Sequence, residues 1–221
     1  MKITLIQHTQ NAEKLLIFSK RTRLMMNVEG FDFIDQLSDE DKKEELDYVF
    51  GTITSSLEFV DYVFLIEDVT RAFTHQLVRH RVGVAFAQQS QRTVDASGFN
   101  YYTPESCKNN HVYHAIMKQI DKAYQMMIYE DNIRPEDARG ILPTNIHTNI
   151  LMKINLRALS ELMSKRLCNR TQAEFRAAAE NMKELVIDIH PWAEKILKCY
   201  CEEHGKCFFK NGKGCGKYAA D

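Results

Sequence analysis

Residues 57 to 66 read Leu-Glu-Phe-Val-Asp-Tyr-Val-Phe-Leu-Ile. β-Branched and aromatic side chains fit a pleated, half-buried surface, so the run reads as a strand. Alternation along a strand places Val60, Tyr62, Phe64 and Ile66 on one face. A face that apolar must be covered, and the rest of the chain supplies helices. Met1 to Gln7 alternates well enough for a short opening strand. Ser38, followed by Asp39, Glu40 and Asp41, predicts a capped helix running to about Phe50. Asp68 is expected to cap a helix with Val69, Ala72, Phe73 and Leu77 inward, ending in Arg79-His80-Arg81 before a stop at Gly83. Ser90 to Tyr102 reads as extended or looped. A helix over His111 to Tyr129 would carry Ile116, Ile120, Ala123 and Met127 as its stripe. Pro135 starts a short helix that Pro143 terminates. Asn155 to Arg166 is helical with Leu156, Leu159, Leu162 and Met163 inward, and Thr171-Gln-Ala-Glu174 reads as a capping box for a helix reaching about His190. The order is α+β, with helices dominating after residue 103.

A chain of 221 residues with 44% hydrophobic content can bury one substantial core. The expected division is a catalytic domain over 1–197 and a Cys/His-bearing tail over 198–221. Lys plus Arg number 29 against 30 Asp plus Glu, so a broad basic surface for nucleic acid is not expected. No apolar run reaches bilayer length, and the N-terminus lacks a signal-peptide core. These features place the chain in the cytoplasm and away from membranes, with its six cysteines as reduced thiols or metal ligands. In the tail, Cys201-x-x-His204-x-x-Cys207 with Cys215 has ligand types and spacing suited to zinc. The alternative is a thiol-bearing end without metal.

The most unusual stretch is Gln76-Leu-Val-Arg79-His80-Arg81, then eight residues, then Ser90-Gln91-Arg92. A guanidinium binds phosphate through two parallel hydrogen bonds, and a serine hydroxyl adds a third. Gln88 and Gln89 have the amide groups to read an edge such as that of uracil. Against this stands a solvated basic helix end favoured by the helix dipole.

Arg79-His80-Arg81 followed by Ser90-Gln91-Arg92 resembles the signature of the flavin-dependent thymidylate synthases. Their pattern is Arg-His-Arg, seven residues, Ser, and an Arg two residues on; here eight residues intervene, Val82 to Gln89. Ala138-Arg139-Gly-Ile-Leu142-Pro143, Asn155-Leu-Arg157-Ala-Leu159, Gln172-Ala-Glu174, Pro191-Trp192 and Ser55-Ser-Leu-Glu58 resemble further blocks of that family, in its order, over roughly residues 16 to 192. The family's His residues flanking the Ser55–Glu58 block are Ile53 and Phe59 here, which leaves the folate-binding residues unassigned.

The resemblance implies a central, mostly antiparallel sheet and a homotetramer with sites shared between subunits. It implies reductive methylation of dUMP to dTMP, with methylenetetrahydrofolate as carbon donor and FAD, regenerated by NADPH, as hydride carrier. By resemblance, Ser55, Glu58, Arg79, His80, Arg81, Asn155 and Arg157 serve the flavin. Gln76, Arg79, Gln88, Gln89, Ser90, Arg92, Arg139 and Arg166 serve dUMP. Arg166 would be the catalytic group, stabilising negative charge along the N3–O4 edge so that electron density moves to C5. The thiol-dependent route to dTMP needs a shielded cysteine. Cys107 lies in a polar loop, Cys168 reads as a small helix-end residue, and no Pro-Cys-Gln segment occurs. Two rivals stand beside this reading: a related transferase leaving a hydroxymethyl group on the uridine nucleotide, and a non-catalytic nucleotide- or nucleic-acid-binding module.

Overall fold

The computed structural model describes residues 1–209 and 213–219. The chain is mixed helix and antiparallel sheet. In order, its elements are β1 (Lys2–His8), α1 (Ala12–Leu24), α2 (Asp39–Thr52), β2 (Asp61–Thr70), α3 (Arg71–Leu77), β3 (Val84–Gln88), α4 (His111–Tyr129), α5 (Pro135–Ala138), β4 (His147–Asn155), α6 (Leu156–Arg166), α7 (Ala173–Ile189) and α8 (Tyr200–His204). The four strands form one sheet in the order β1-β2-β4-β3. Among the described residues no helix is long and apolar enough to cross a membrane.

The chain divides into two compact units. The first holds Met1–Lys2, Leu65–Arg79 and Phe86–Leu151. Its core includes Ile66, Val69, Phe73, Leu77, Tyr124 and Ile150, all buried. The loop after Gly98 is fastened by backbone bonds from Tyr102 N to Asn145 O (2.9 Å) and His147 N to Asn100 O (2.9 Å). The second unit holds Ile3–Phe64, His80–Ala85 and Met152–Asp221. Its core is Leu16 and Ile17 of α1, Tyr62 and Phe64 of β2, the inward face of α6, and Phe175, Ala178, Met182 and Val186 of α7. Of the tail expected over 198–221, Lys210, Asn211, Gly212, Ala220 and Asp221 lie outside the described residues.

Several expectations hold. Ser38 caps α2: its hydroxyl accepts from Asp41 N at 3.1 Å, and the Asp41 carboxylate takes Ser38 N at 3.3 Å. All four residues assigned inward on α6 are fully buried. Others are corrected. The strand expected from Leu57 begins at Asp61, after a 3₁₀ turn over Thr54–Phe59. It then runs on to Thr70, and Thr70 rather than Asp68 caps α3, accepting from Phe73 N at 2.9 Å. Asp68 is inside the strand at φ 55°. α3 stops at Leu77, so Arg79-His80-Arg81 lie beyond the helix. On α4, Met117 and Tyr124 are buried while Ile116 is exposed, so the stripe is rotated from the expected one. Thr171 forms no capping box: Gln172 is the N-cap of α7, and the Thr171 hydroxyl donates to Lys165 O at 3.2 Å.

Four elements were not anticipated: α1, β3, β4 and the short α8. α1 buries only Ala12, Leu16 and Ile17, and ion pairs hold its charged face: Lys14 with Asp32 (2.9 Å) and Asp35 (2.7 Å), Lys20 with Glu45 (2.7 Å). β3 occupies most of the eight-residue spacer. β4 hides its period of two behind an Asn, a Lys and a Met, yet Thr148, Ile150, Met152 and Ile154 all turn inward.

Candidate active site

In the first unit, α3, β3 and the segment ending at Thr144 line an open cleft of about 700 Å³. Arg71, Thr74, His75, Gln76 and Gln88 border it. Gln88 is oriented by Thr74, whose hydroxyl accepts from its Nε2 at 2.8 Å. Arg79 lies 3.2 Å from the His75 ring through Nη2. Gln89 is tied to Asn149 twice, by N to O at 3.0 Å and by Oε1 accepting from Asn149 N at 3.3 Å. Its amide oxygen is therefore already committed to the backbone. The Ser90 hydroxyl accepts from Arg92 N at 3.2 Å, which folds the turn that carries Arg92. The Arg92 guanidinium donates to Glu136 at 3.0 Å, and Arg139 Nε donates to Glu136 O at 3.1 Å.

Arg71 was not singled out by its motif context. Its Nε is buried without a hydrogen-bond partner. Burial, and then the positive charge of Arg139, lower its pKa. Two guanidiniums near each other, neither ion-paired to a carboxylate among the described residues, make a place where an anion relieves repulsion. Glu136 was missed as well, since no signal in the sequence pairs it with Arg92.

In the second unit, Gly83 adopts φ +69°, and a Cβ there would stand 2.5 Å from Asn155 Nδ2. Only glycine allows that approach. Asn155 N also donates to Gly83 O at 2.9 Å, and Asn155 Oδ1 caps α6 by accepting from Ala158 N at 2.9 Å. One asparagine thus fixes both the start of α6 and the segment that carries His80 and Arg81. Arg157, in the first turn of α6, bonds Glu58 at 2.6 Å. Ser55 accepts from Arg23 at 3.4 Å, a neighbour from α1 that the sequence reading did not include. Arg81 is exposed.

Arg166 ends α6. Its guanidinium lies over the Phe175 ring, 4.4 Å from the centroid, and its Nε is buried without a hydrogen-bond partner. Burial lowers its pKa. Burial also lowers the pKa of His80, with the charges of Arg166 and Lys165 acting in the same direction and Glu161 opposing. His80 is therefore a neutral imidazole beside a cation at neutral pH.

The expected zinc ligands are not gathered. His204 stacks on Tyr200 at 4.2 Å, and its Nδ1 bonds Tyr200 O at 3.0 Å. Among the described residues no group of three His, Cys, Asp or Glu side chains is placed to hold a metal ion. Burial pushes the Cys199 thiol up to about 12.

The α+β architecture, with Arg71 beside Arg139 in the first unit and Arg166 holding a buried, unpartnered Nε in the second, defines a protein suited to anionic, nucleotide-like ligands. The family model for the thymidylate synthase complementing protein matches residues 4–192, and the chain belongs to the flavin-dependent thymidylate synthase family. It is 35% identical to the flavin-dependent thymidylate synthase of Geobacter sulfurreducens, covering 99% of this chain and 95% of that one. It is 31% identical to that of Clostridium tetani, over 99% and 94% of the two chains. Among solved structures, it resembles the Helicobacter pylori enzyme complexed with FAD and dUMP, with a TM-score of 0.70, 21% identity, and 90% and 100% coverage. It also resembles the UMP/dUMP methylase PolB of Streptomyces cacaoi bound with 5-Br dUMP, with a TM-score of 0.74, 18% identity, and 88% and 93% coverage.

Proposed function

We propose that the protein converts dUMP to dTMP as a FAD-dependent thymidylate synthase, and that Arg166 is its catalytic residue. The observation that carries this is a guanidinium held on an aromatic face with one N–H buried and unanswered. Such a donor lacks a partner until an anion arrives, and lowered polarity around it strengthens the interaction. Uracil C5 is a poor nucleophile. Negative charge held on the N3–O4 edge moves electron density to C5, and an arginine stabilises that charge without giving up a proton.

The other residues bind and orient. Arg71, Arg92 and Arg139 hold the dUMP phosphate, with Ser90, Gln76 and Arg79 beside them. Gln88, aimed by Thr74, reads the uracil edge, while Gln89 keeps its backbone role and supports the turn. The residues of the second unit fit a flavin diphosphate: Arg157 and Arg81 offer guanidiniums, His80 a neutral ring, Asn155 an amide, and Ser55 and Glu58 complete the set. Bound reduced FAD supplies the hydride that completes the methyl group, and NADPH restores it. Methylenetetrahydrofolate supplies the carbon. The enzyme works as a cytoplasmic homotetramer with shared sites; Val82, 84% exposed beside Arg81, is a side chain that a neighbouring subunit would cover.

The test is direct. dUMP, methylenetetrahydrofolate, FAD and NADPH are incubated with the protein, and the nucleotide product is weighed by mass spectrometry. A methyl increment is expected. A hydroxymethyl increment would support the related transferase, and unaltered dUMP would leave only a binding module.

A further inference from the structure

Five of the six cysteines border one cavity of about 250 Å³: Cys168, just past the end of α6, and Cys199, Cys201, Cys207 and Cys215 of the tail. All are free thiols. The thymidylate chemistry proposed above uses none of them. Lys165 and Lys217 line the cavity too, a wall that suits an anionic reagent better than a metal ion. Glu202 also lines it, but its carboxylate is engaged by Lys217 at 3.1 Å and by Cys199 N at 3.3 Å.

Two of these thiols already touch. The sulfurs of Cys199 and Cys201 lie 3.5 Å apart, in contact and unbonded. One residue sets the spacing of their backbones. Tyr200 is the first residue of α8, so the Cα atoms on either side of it stand about 5.4 Å apart by helix geometry. Disulfides bridge Cα atoms about 4.4–6.8 Å apart. The Cα spacing therefore meets the requirement, and the sulfurs need approach by only roughly 1.5 Å through side-chain rotation. The start of α8 holds the pair in place: Glu202 N and Glu203 N both donate to Cys199 O, at 2.9 and 3.1 Å. Access differs between the two. Cys199 is 3% exposed, whereas Cys201 is half-buried, so a reagent from solvent meets Cys201 first. Burial also pushes the Cys199 thiol up to about 12, which makes it a poor first attacker.

We infer that Cys199 and Cys201 are a dithiol–disulfide couple, oxidised by low-molecular-weight peptide disulfides, the class to which oxidised glutathione belongs. The Cys201 thiolate attacks one sulfur of the reagent, whose S–S bond breaks as one thiolate leaves. Cys199 gives its proton to that thiolate and attacks the Cys201 sulfur, expelling the other half of the reagent. The protein pair gives up two electrons and two protons, and the reagent takes both as it becomes two thiols. A disulfide closing so small a ring is easily reduced, so the couple runs in both directions.

The couple is independent of the thymidylate reading, because it is tested with no nucleotide present. The full-length protein is reduced, freed of reductant and incubated with oxidised glutathione. Remaining thiols are alkylated under denaturing conditions, and the chain is digested with trypsin. Cleavage after Lys198 and Lys206 releases both cysteines in one peptide, Cys199–Lys206, which holds no other thiol. That peptide is expected to lose both alkylation sites and two hydrogens, and to regain both sites after dithiothreitol. In Cys199→Ser, Cys201 loses its resolving thiol and should keep one glutathionyl group. In folded Cys201→Ser, Cys199 should stay unmodified. Alkylation of both cysteines in the oxidised wild type would overturn the inference. So would a disulfide joining either one to Cys168, Cys207 or Cys215, or a glutathionyl group on Cys199 in folded Cys201→Ser.

Discussion

Arg92 and Arg166 are both assigned to the nucleotide, and their surroundings differ in kind. In the first unit the Arg92 side chain is 70% exposed and already paired with Glu136 at 3.0 Å. In the second, Arg166 is packed on Phe175, has a buried Nε without a partner, and is ion-paired to no carboxylate among the described residues. An exposed, paired arginine is a replaceable contact: an incoming phosphate competes with a carboxylate and with water. A partly desolvated, unpaired one gains more from an anion and is held in place before it comes. Under the proposed function, this difference is what separates binding from chemistry. Arg92 should govern how tightly dUMP is held, and Arg166 how fast it reacts.

The sharpest way to break this contrast is Arg166→Ala. Product formation should fall about 10²- to 10³-fold, the loss typical of one oxyanion-stabilising donor, while the visible flavin spectrum persists. Activity near the wild-type level would remove the distinction. Arg166→Lys should restore little, since a point charge does not reproduce the fork.

Next in size is a pH effect confined to the second unit. Tyr62 O–H lies 3.0 Å from His190 Nδ1 in the buried core, and burial, with His8 nearby, lowers His190 from 6.5 to about 4. The folded chain holds the ring neutral, whereas the unfolded chain protonates it below about 6.5. The resulting stability is fully present above pH 6.5 and drains away as pH falls towards 4, by about 3 kcal/mol at most. Urea midpoints measured across that window should drop more steeply for the wild type than for His190→Gln. Parallel profiles would sink the assignment.

Arg92→Ala should weaken dUMP binding by about 10- to 100-fold, as expected for a charge-assisted hydrogen bond, with the maximal rate much less affected. An equal loss in both parameters would put Arg92 in the same class as Arg166. Smallest is Glu136→Gln: removing the competing carboxylate should tighten dUMP by about two- to fivefold, the range of an exposed ion pair. Calorimetric titration measures both, and weaker binding in Glu136→Gln would mean that Glu136 orients Arg92 instead of competing for it.

Legibility followed local physics. α6 was readable because Leu156, Leu159, Leu162 and Met163 recur at helical spacing and all are fully buried. α4 was readable as a helix but not in its facing: it carries apolar residues on more than one side, and only packing chose Met117 and Tyr124 over Ile116. β4 was missed because strand propensity is weak for Asn, Met and Lys, although its alternation was present. Arg79, Arg92, Arg139, Arg157 and Arg166 were singled out through motif blocks. Arg71, Arg23 and Glu136 were not, because each matters through a neighbour distant in sequence: Arg139, Ser55 and Arg92.

By itself the chain determined its helix starts at Ser38 and Asn155, the apolar face of β2, and the spacing of the arginine blocks, all of which depend on residues a few positions apart. The tertiary structure decided which guanidiniums keep a carboxylate and which are left with a buried, unanswered N–H. It also decided that Gly83 must yield space to Asn155, and that five thiols border one cavity while His204 turns away. Those outcomes depend on desolvation and on the approach of distant segments, and neither quantity is written in any short stretch of sequence.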